Sequence, residues 1–286
     1  MRLLVTADLH YNQPKSHSLA DALIDQMNGV EADVLLVVGD TATFDGDALE
    51  RCLSRFQFAG PKLFVAGNHE LWTAEADSYL LFTQRLPQRV REAGWIWLQD
   101  KPFVMGDVAI VGSIGWYDYS FAWPALKIPA RFYAAKVSPG AAERFSEFAP
   151  LFARSDAIAP EAMQIVARWN DGRFAKLGRS DAFFLDELLE AMERQLNAVS
   201  HVPRVAVATH CVPLAELLPP TGRAQWDFAR AYLGSQRTGD LIRRFSNVRQ
   251  ILCGHSHFPV EARVGDIQAI NIGSGYREKI YRLIDV

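Results

Sequence analysis

Five of the seven histidines, His10, His69, His210, His255 and His257, stand within three residues of the end of a strand-like apolar run. Asp8, Asp40 and Asn68 hold the same kind of position. Imidazole, carboxylate and amide oxygen together are donors for transition metals; the mixture suits Mn, Fe, Zn, Co or Ni better than Mg or Ca. Two pairs, Asp8-Leu9-His10 and His255-Ser256-His257, are separated by one residue. In extended chain such residues point to one side, under ~7 Å apart. That suits two neighbouring ions, roughly 3.5–4 Å apart in dinuclear hydrolases, better than one chelated ion. Gly39, Gly67 and Gly254 precede ligand positions, where glycine allows a sharp turn and close backbone approach. Taken singly, each residue has a plainer reading. A strand-end histidine is more often a hydrogen-bonded core residue, Asp40 a turn, Asn68 a helix cap, and Glu70 a cap or a support. Their common placement at five strand ends favours a metal site. His17 and His201 have no such company and read as surface or cap residues.

The elements that must position these residues are legible as apolar runs at 2–8, 34–40, 62–68, 108–114, 204–210 and 248–254. Several lack polar alternation, as strands buried on both faces do. Helical patterns lie between them, at about 17–28, 46–58, 75–93, 181–199 and 236–246. The order β-α-β-α-β-α predicts parallel strands with crossover helices, and ligand sites collect outside the carboxyl ends of such strands. Residues 261–275 read as a hairpin turning at Gly265-Asp266, and 278–286 as a last strand. The rhythm breaks at 116–180, where aromatics and prolines crowd and a helical stretch follows near 160–177. We read one domain over 1–286 with an insertion or flap at about 116–180.

Of 286 residues, 49% are apolar and 22% charged, and the net charge is −3. These are ordinary values for a globular enzyme or binding protein. No basic block is present, which argues against a long nucleic-acid track. No apolar run is long enough to span a bilayer, and Met1 runs straight into a strand-like segment. Cys52, Cys211 and Cys253 form no CxxC pair. Reduced thiols in a cytoplasmic protein are expected, and a structural zinc site is not.

Read in order, Asp8-x-His10, Gly39-Asp40, Gly67-Asn68-His69-Glu70, Thr209-His210 and Gly254-His255-x-His257 resemble the calcineurin-like metallophosphoesterase superfamily. The resemblance runs from residue 8 to about 275, where Asn271-Ile272-Gly273-Ser274 also matches. It implies an α/β sandwich of two mixed sheets flanked by helices, four layers in all. It also implies two divalent transition-metal ions. Asp8, His10 and His257 would hold the first; Asn68, His210 and His255 the second; Asp40 would bridge them. His69 would face the substrate as general acid or phosphoryl-oxygen donor, with Glu70 orienting it or capping the next helix. Where the superfamily has GDxxD, the second acid falls on Thr43, with Asp45 the nearest carboxylate. The arginines of the protein Ser/Thr phosphatase branch are missing, and His69 stands where lipid-sugar pyrophosphatases have Arg.

The expected activity is metal-dependent hydrolysis of a small phosphodiester or phosphomonoester, with no membrane partner. A nuclease is the rival enzyme; a non-catalytic metal-binding scaffold of the same fold is the rival outside enzymes. The aromatics of 116–133, with Lys127 and Arg131, could stack a base near the site. Packing the insertion onto the body is the plainer role, and the one we favour.

Overall fold

The computed structural model describes residues 1–74, 77–153 and 158–286. The helix expected over 75–93 and the insertion expected over 116–180 thus include positions, 75–76 and 154–157, outside the described residues. Two mixed sheets face each other. The first is ordered β11-β1-β2-β3-β4, with β1 at Arg2–Thr6, β2 at Val34–Val38, β3 at Lys62–Val65, β4 at Ile96–Trp97 and β11 at Tyr281–Asp285. β1 to β4 are parallel and β11 is antiparallel to β1. The second is ordered β5-β6-β7-β8-β10-β9. Its strands are β5 Phe103–Met105, β6 Val108–Ser113, β7 Arg204–Thr209, β8 Val248–Cys253, β9 Val260–Val264 and β10 Ile267–Asn271. β6, β7, β8 and β10 are parallel, while β5 and β9 close the edges antiparallel.

The missing polar alternation now has its cause. Leu3, Val5, Leu36, Val38 and Val65 from the first sheet meet Ile110, Ala206, Ala208 and Leu252 from the second, all fully buried. The outer face of the first sheet, through Leu4, Leu35, Val37 and Phe64, packs against Ile24, Met27, Leu49 and Leu53 of the helices Pro14–Met27 and Ala48–Ser54. On the second, Val205, Val207 and Ile251 meet Leu196 of Asp181–Ala198 and Ile242 of Gln236–Arg243. Both faces of the central strands are covered, so their middle positions are apolar. The hairpin turns where expected, with Val264 opposite Ile267 across Gly265-Asp266.

β4 and β5 were not read from the sequence: at two and three residues they are too short to show a period. The expected helix near 160–177 is instead two single turns, Pro160–Met163 and Asp171–Phe174. Between them the backbone pairs across the insertion. The Ser138 amide donates to the Ala167 carbonyl, and the Trp169 amide donates to that of Lys136, at 3.0 and 2.9 Å.

Leu36 sits at the centre of the inter-sheet core with none of its surface exposed. Leu36→Ala is expected to cost about 2–5 kcal/mol. Urea unfolding should show a lower midpoint at unchanged slope.

Candidate metal centre

The chain leaves β1, β2 and β8 by left-handed turns. Asp8, His10, Asp40, His255 and His257 have φ of 55°, 44°, 53°, 68° and 54°. Non-glycine residues seldom adopt such values, and each costs about 1–3 kcal/mol unless its surroundings impose it. The expectation that Asp8/His10 and His255/His257 sit on extended chain is therefore corrected. Their strands end at Thr6 and Cys253, and turns aim the side chains inward.

The structure brings all seven candidate ligands together. Donor atoms of Asp8, His10, Asp40 and His257 lie within 4.8 Å of one another, as do those of Asp40, His210 and His255. Asn68 joins the second group, its Oδ1 3.3 Å from His210 Nε2. Asp40 belongs to both, with Oδ1 3.2 Å from His210 Nε2 and Oδ2 3.8 Å from His10 Nε2. His255 and His257 divide between the groups, while Asp8 and His10 share one.

The chemistry of this donor set fits cations. His10 Nε2 and His257 Nε2 approach to 2.9 Å, and His210 Nε2 and His255 Nδ1 to 3.1 Å. Where neither nitrogen carries a proton, each pair turns two lone pairs toward one another, an arrangement a shared cation satisfies. The outer nitrogens of the second group are pinned. His210 Nδ1–H donates to the Val38 carbonyl at 2.9 Å, and His255 Nε2–H to that of Tyr232 at 3.1 Å. Each bond leaves the other ring nitrogen free to ligate. The first bond also ties β7 to β2 across the sandwich. The His255 amide does the same by donating to both Asp8 carboxylate oxygens, at 3.0 and 3.1 Å.

Protonation follows this crowding. Burial alone would raise the Asp40 carboxyl, but His210, His69 and His10 hold it well below the usual range. Burial opposes the charge on His210, yet Asp40 and the Val38 carbonyl push it up to about 10. Burial and His210 bring His255 down to about 4.

The glycines clear space. A Cβ on Gly67 would collide with Asp40 Oδ1 and the Asp40 amide, and one on Gly39 with the His210 ring. Glu70 neither caps a helix nor orients His69. Its buried carboxylate reaches back to the Asp40 turn. Oε1 accepts from the Thr41 and Ala42 amides at 2.6 and 3.1 Å, and Oε2 from those of Asp40 and Gly67 at 3.0 and 2.6 Å. Burial raises its carboxyl to about 7 against the pull of these donors. Asn271, flagged in the sequence, braces the other rim by donating to the Gly254 carbonyl and Ser256 Oγ at 3.0 and 2.9 Å.

His69 lies beside both groups, Nε2 3.7 Å from Asp40 Oδ2, its ring stacked on Trp72 at 3.6 Å. Its buried Nδ1 meets no hydrogen-bond partner among the described residues. Asp45 does not supply one: its carboxylate accepts from Thr73 Oγ1 and the Ala74 amide at 3.1 and 2.8 Å. His17 is half exposed beside Asp21, and His201 is exposed, as expected of surface residues.

A profile of calcineurin-like phosphoesterases matches residues 1–259. The chain belongs to that family. No protein of curated function matches its sequence. Among solved structures, a phosphopantetheinyl hydrolase from Mycobacterium tuberculosis is similar at TM-score 0.69 and 22% identity, over 96% of this chain and 89% of that one. A dimetal phosphatase from Danio rerio is similar at TM-score 0.55 and 14% identity, over 97% and 88%. At such identities the likeness is one of fold, the α/β sandwich of two mixed sheets.

One residue escaped the sequence reading: Asp171, fully buried, whose carboxylate takes the Asn68 side-chain amide at 2.8 Å. The only signal for Asp171 itself is an acid in a segment otherwise lined with indoles and phenols.

Glu70→Gln tests how the Asp40 turn is held. Either amide orientation points an NH₂ at two backbone N–H groups. The expected loss is about 3 kcal/mol or more at neutral pH, from two donors at roughly 1–3 kcal/mol each, read by chemical denaturation.

Proposed function

We propose that this calcineurin-like phosphoesterase hydrolyses a small phosphodiester or phosphomonoester with two divalent transition-metal ions, drawn from Mn, Fe, Zn, Co and Ni. The observation that carries the reading is the pair of donor groups sharing Asp40 with His69 at their edge. Asp8, His10, Asp40 and His257 would hold one ion; Asp40, Asn68, His210 and His255 the other. Such ions, when bound, supply positive charge for an anionic ester and acidify water to a nucleophile near neutral pH.

The remaining work falls to this chain's own groups. The Trp72 stack fixes the plane of His69, so that Nε2 faces the shared carboxylate. That atom can carry the proton needed by the departing alkoxide oxygen. His257, with a quarter of its side chain exposed, and the partly exposed Tyr276 stand at the mouth. Tyr276 stacks on His10 at 4.5 Å. The aromatics first considered for base stacking are taken up in packing. Trp116, Tyr117, Phe121, Phe132 and Tyr133 are buried, and Trp123 is the exposed member. Trp116, Tyr117 and Tyr133 share a core with the first sheet and Phe121 with the second, while Phe132 packs within the insertion; this supports reading 1–286 as one domain with 116–180 laid over it. Three buried free thiols fit a reducing compartment such as the cytoplasm. Among the described residues, no helix is long and apolar enough to cross a membrane.

The test is turnover of bis-p-nitrophenyl phosphate against p-nitrophenyl phosphate by metal-stripped protein given Mn, Ni, Co or Zn. A phosphopantetheinyl ester, suggested by the name of the similar Mycobacterium tuberculosis hydrolase, joins the panel. Metal-dependent turnover is expected, and His69→Ala should lower it by ~10²–10⁴-fold with both ions retained. Two bound ions without turnover on any ester would replace the enzyme by a metal-binding scaffold.

A further inference from the structure

The Asp171 carboxylate accepts four hydrogen bonds. Oδ1 takes Asn68 Nδ2 at 2.8 Å and Trp72 Nε1 at 2.6 Å. Oδ2 takes the Tyr117 hydroxyl at 2.9 Å and Trp169 Nε1 at 2.7 Å. Two donors come from the metal-centre loop and two from the insertion. The amide of Asn68 has one ligating atom, its oxygen. Because its nitrogen is claimed by Asp171, Oδ1 is left turned to His210 Nε2.

Trp169 extends the same support to His255. Its ring stacks on Tyr232 at 5.1 Å and 8°, and the Tyr232 carbonyl holds His255 Nε2–H. The other group is held differently: the His255 amide takes both Asp8 carboxylate oxygens and Tyr276 stacks on His10. His10 Nδ1 meets no partner among the described residues, and His257 stands at the mouth. We propose that Asp171 is a positioning residue for one ion of the pair: through it the insertion aims Asn68 Oδ1 and builds the Asn68–His210–His255 half of the centre. This rests on the two-ion reading above.

The position requires a carboxylate. Each oxygen receives one indole N–H, and indole cannot accept. An amide in either orientation would point its NH₂ at an indole N–H, and in one of the two it would also face the Asn68 NH₂, which then loses its acceptor. Outer partners of metal ligands typically contribute 10–100-fold in metal affinity.

Asp171→Asn and wild type would be loaded with Mn²⁺, and stepwise affinities measured by equilibrium dialysis with elemental analysis. Electron paramagnetic resonance would report whether the bound ions are spin-coupled. Asp181→Asn is the comparator. It opens a similar buried cage in the insertion, formed by Trp116, Tyr119 and Lys136, without touching Asn68. For Asp171→Asn we expect one ion weakened at least ~10-fold and the spectrum of an isolated Mn²⁺ at concentrations where wild type shows a coupled pair. Asp181→Asn should keep two ions. Two ions at wild-type affinity in Asp171→Asn, or equal losses in both variants, would overturn the proposal. Wild type that binds no ion would remove the two-ion reading and the proposal together, an outcome distinct from the first. Should Asp171→Asn fail to fold, Tyr117→Phe removes one donor only and should weaken the same ion by about threefold; unchanged affinities there would also overturn it.

Discussion

Lone pairs crowded at one seam are the constraint around which this molecule is arranged. Imidazole nitrogens of different strands approach to 2.9 and 3.1 Å, with the carboxylate of Asp40 between them. Without positive charge such a cluster is costly to bury. To make it, five residues adopt left-handed backbone at the ends of β1, β2 and β8. Strain of that kind persists only where neighbours over-determine it. Here they do. The Asp8 amide donates to the Gly39 carbonyl and the His10 amide to that of Asp40, at 2.9 and 2.8 Å. Glu70 gathers four further amides around the middle turn. The apolar sandwich below supplies the rigidity, being packed on every face.

The two sheets are also joined at this end by polar contacts. His210 reaches from β7 to the Val38 carbonyl, and the His255 amide reaches Asp8. Lys279, on the segment before β11, donates to the Asp8 carbonyl at 2.6 Å, and burial brings its ammonium down to about 8. The seam and the centre are one structure, so the geometry of the ligands inherits the registry of the sheets. That is the usual advantage of placing a site on strand ends and not on free loops.

Much of this was legible in the sequence. Val34 to Val38 read as a strand buried on both faces because period-two polarity is absent there, and histidines at strand ends marked one face of the sandwich. The ligand grouping came from family resemblance, and the structure places the same residues side by side. The mechanism of convergence was not legible. Spacing i, i+2 suggested extended chain, whereas Asp8, His10, His255 and His257 occupy left-handed turns. Nothing local announces a positive φ at aspartate or histidine, since tertiary contacts impose it. Glu70 was misplaced for a related reason. Three of its four partners are backbone amides about thirty residues away, and backbone amides carry no sequence signature. Asp171 is more distant still, about a hundred residues from Asn68.

The insertion shows two ways to bury a carboxylate. Asp181 is paired with the ammonium of Lys136, beside the Trp116 indole and the Tyr119 hydroxyl. Asp171 is held by the Asn68 amide, two indoles and a phenol, with no cation among its donors. Neutral donors satisfy the oxygens without cancelling the charge. A lysine at that point would set a positive group against the ligands Asn68 and His255 and oppose an incoming metal. Indoles do the reverse: they leave negative potential beside the centre while their rings fill the gap between insertion and body. Tyr117 and Trp169 thus let a charge be buried next to the candidate metal centre without being neutralised.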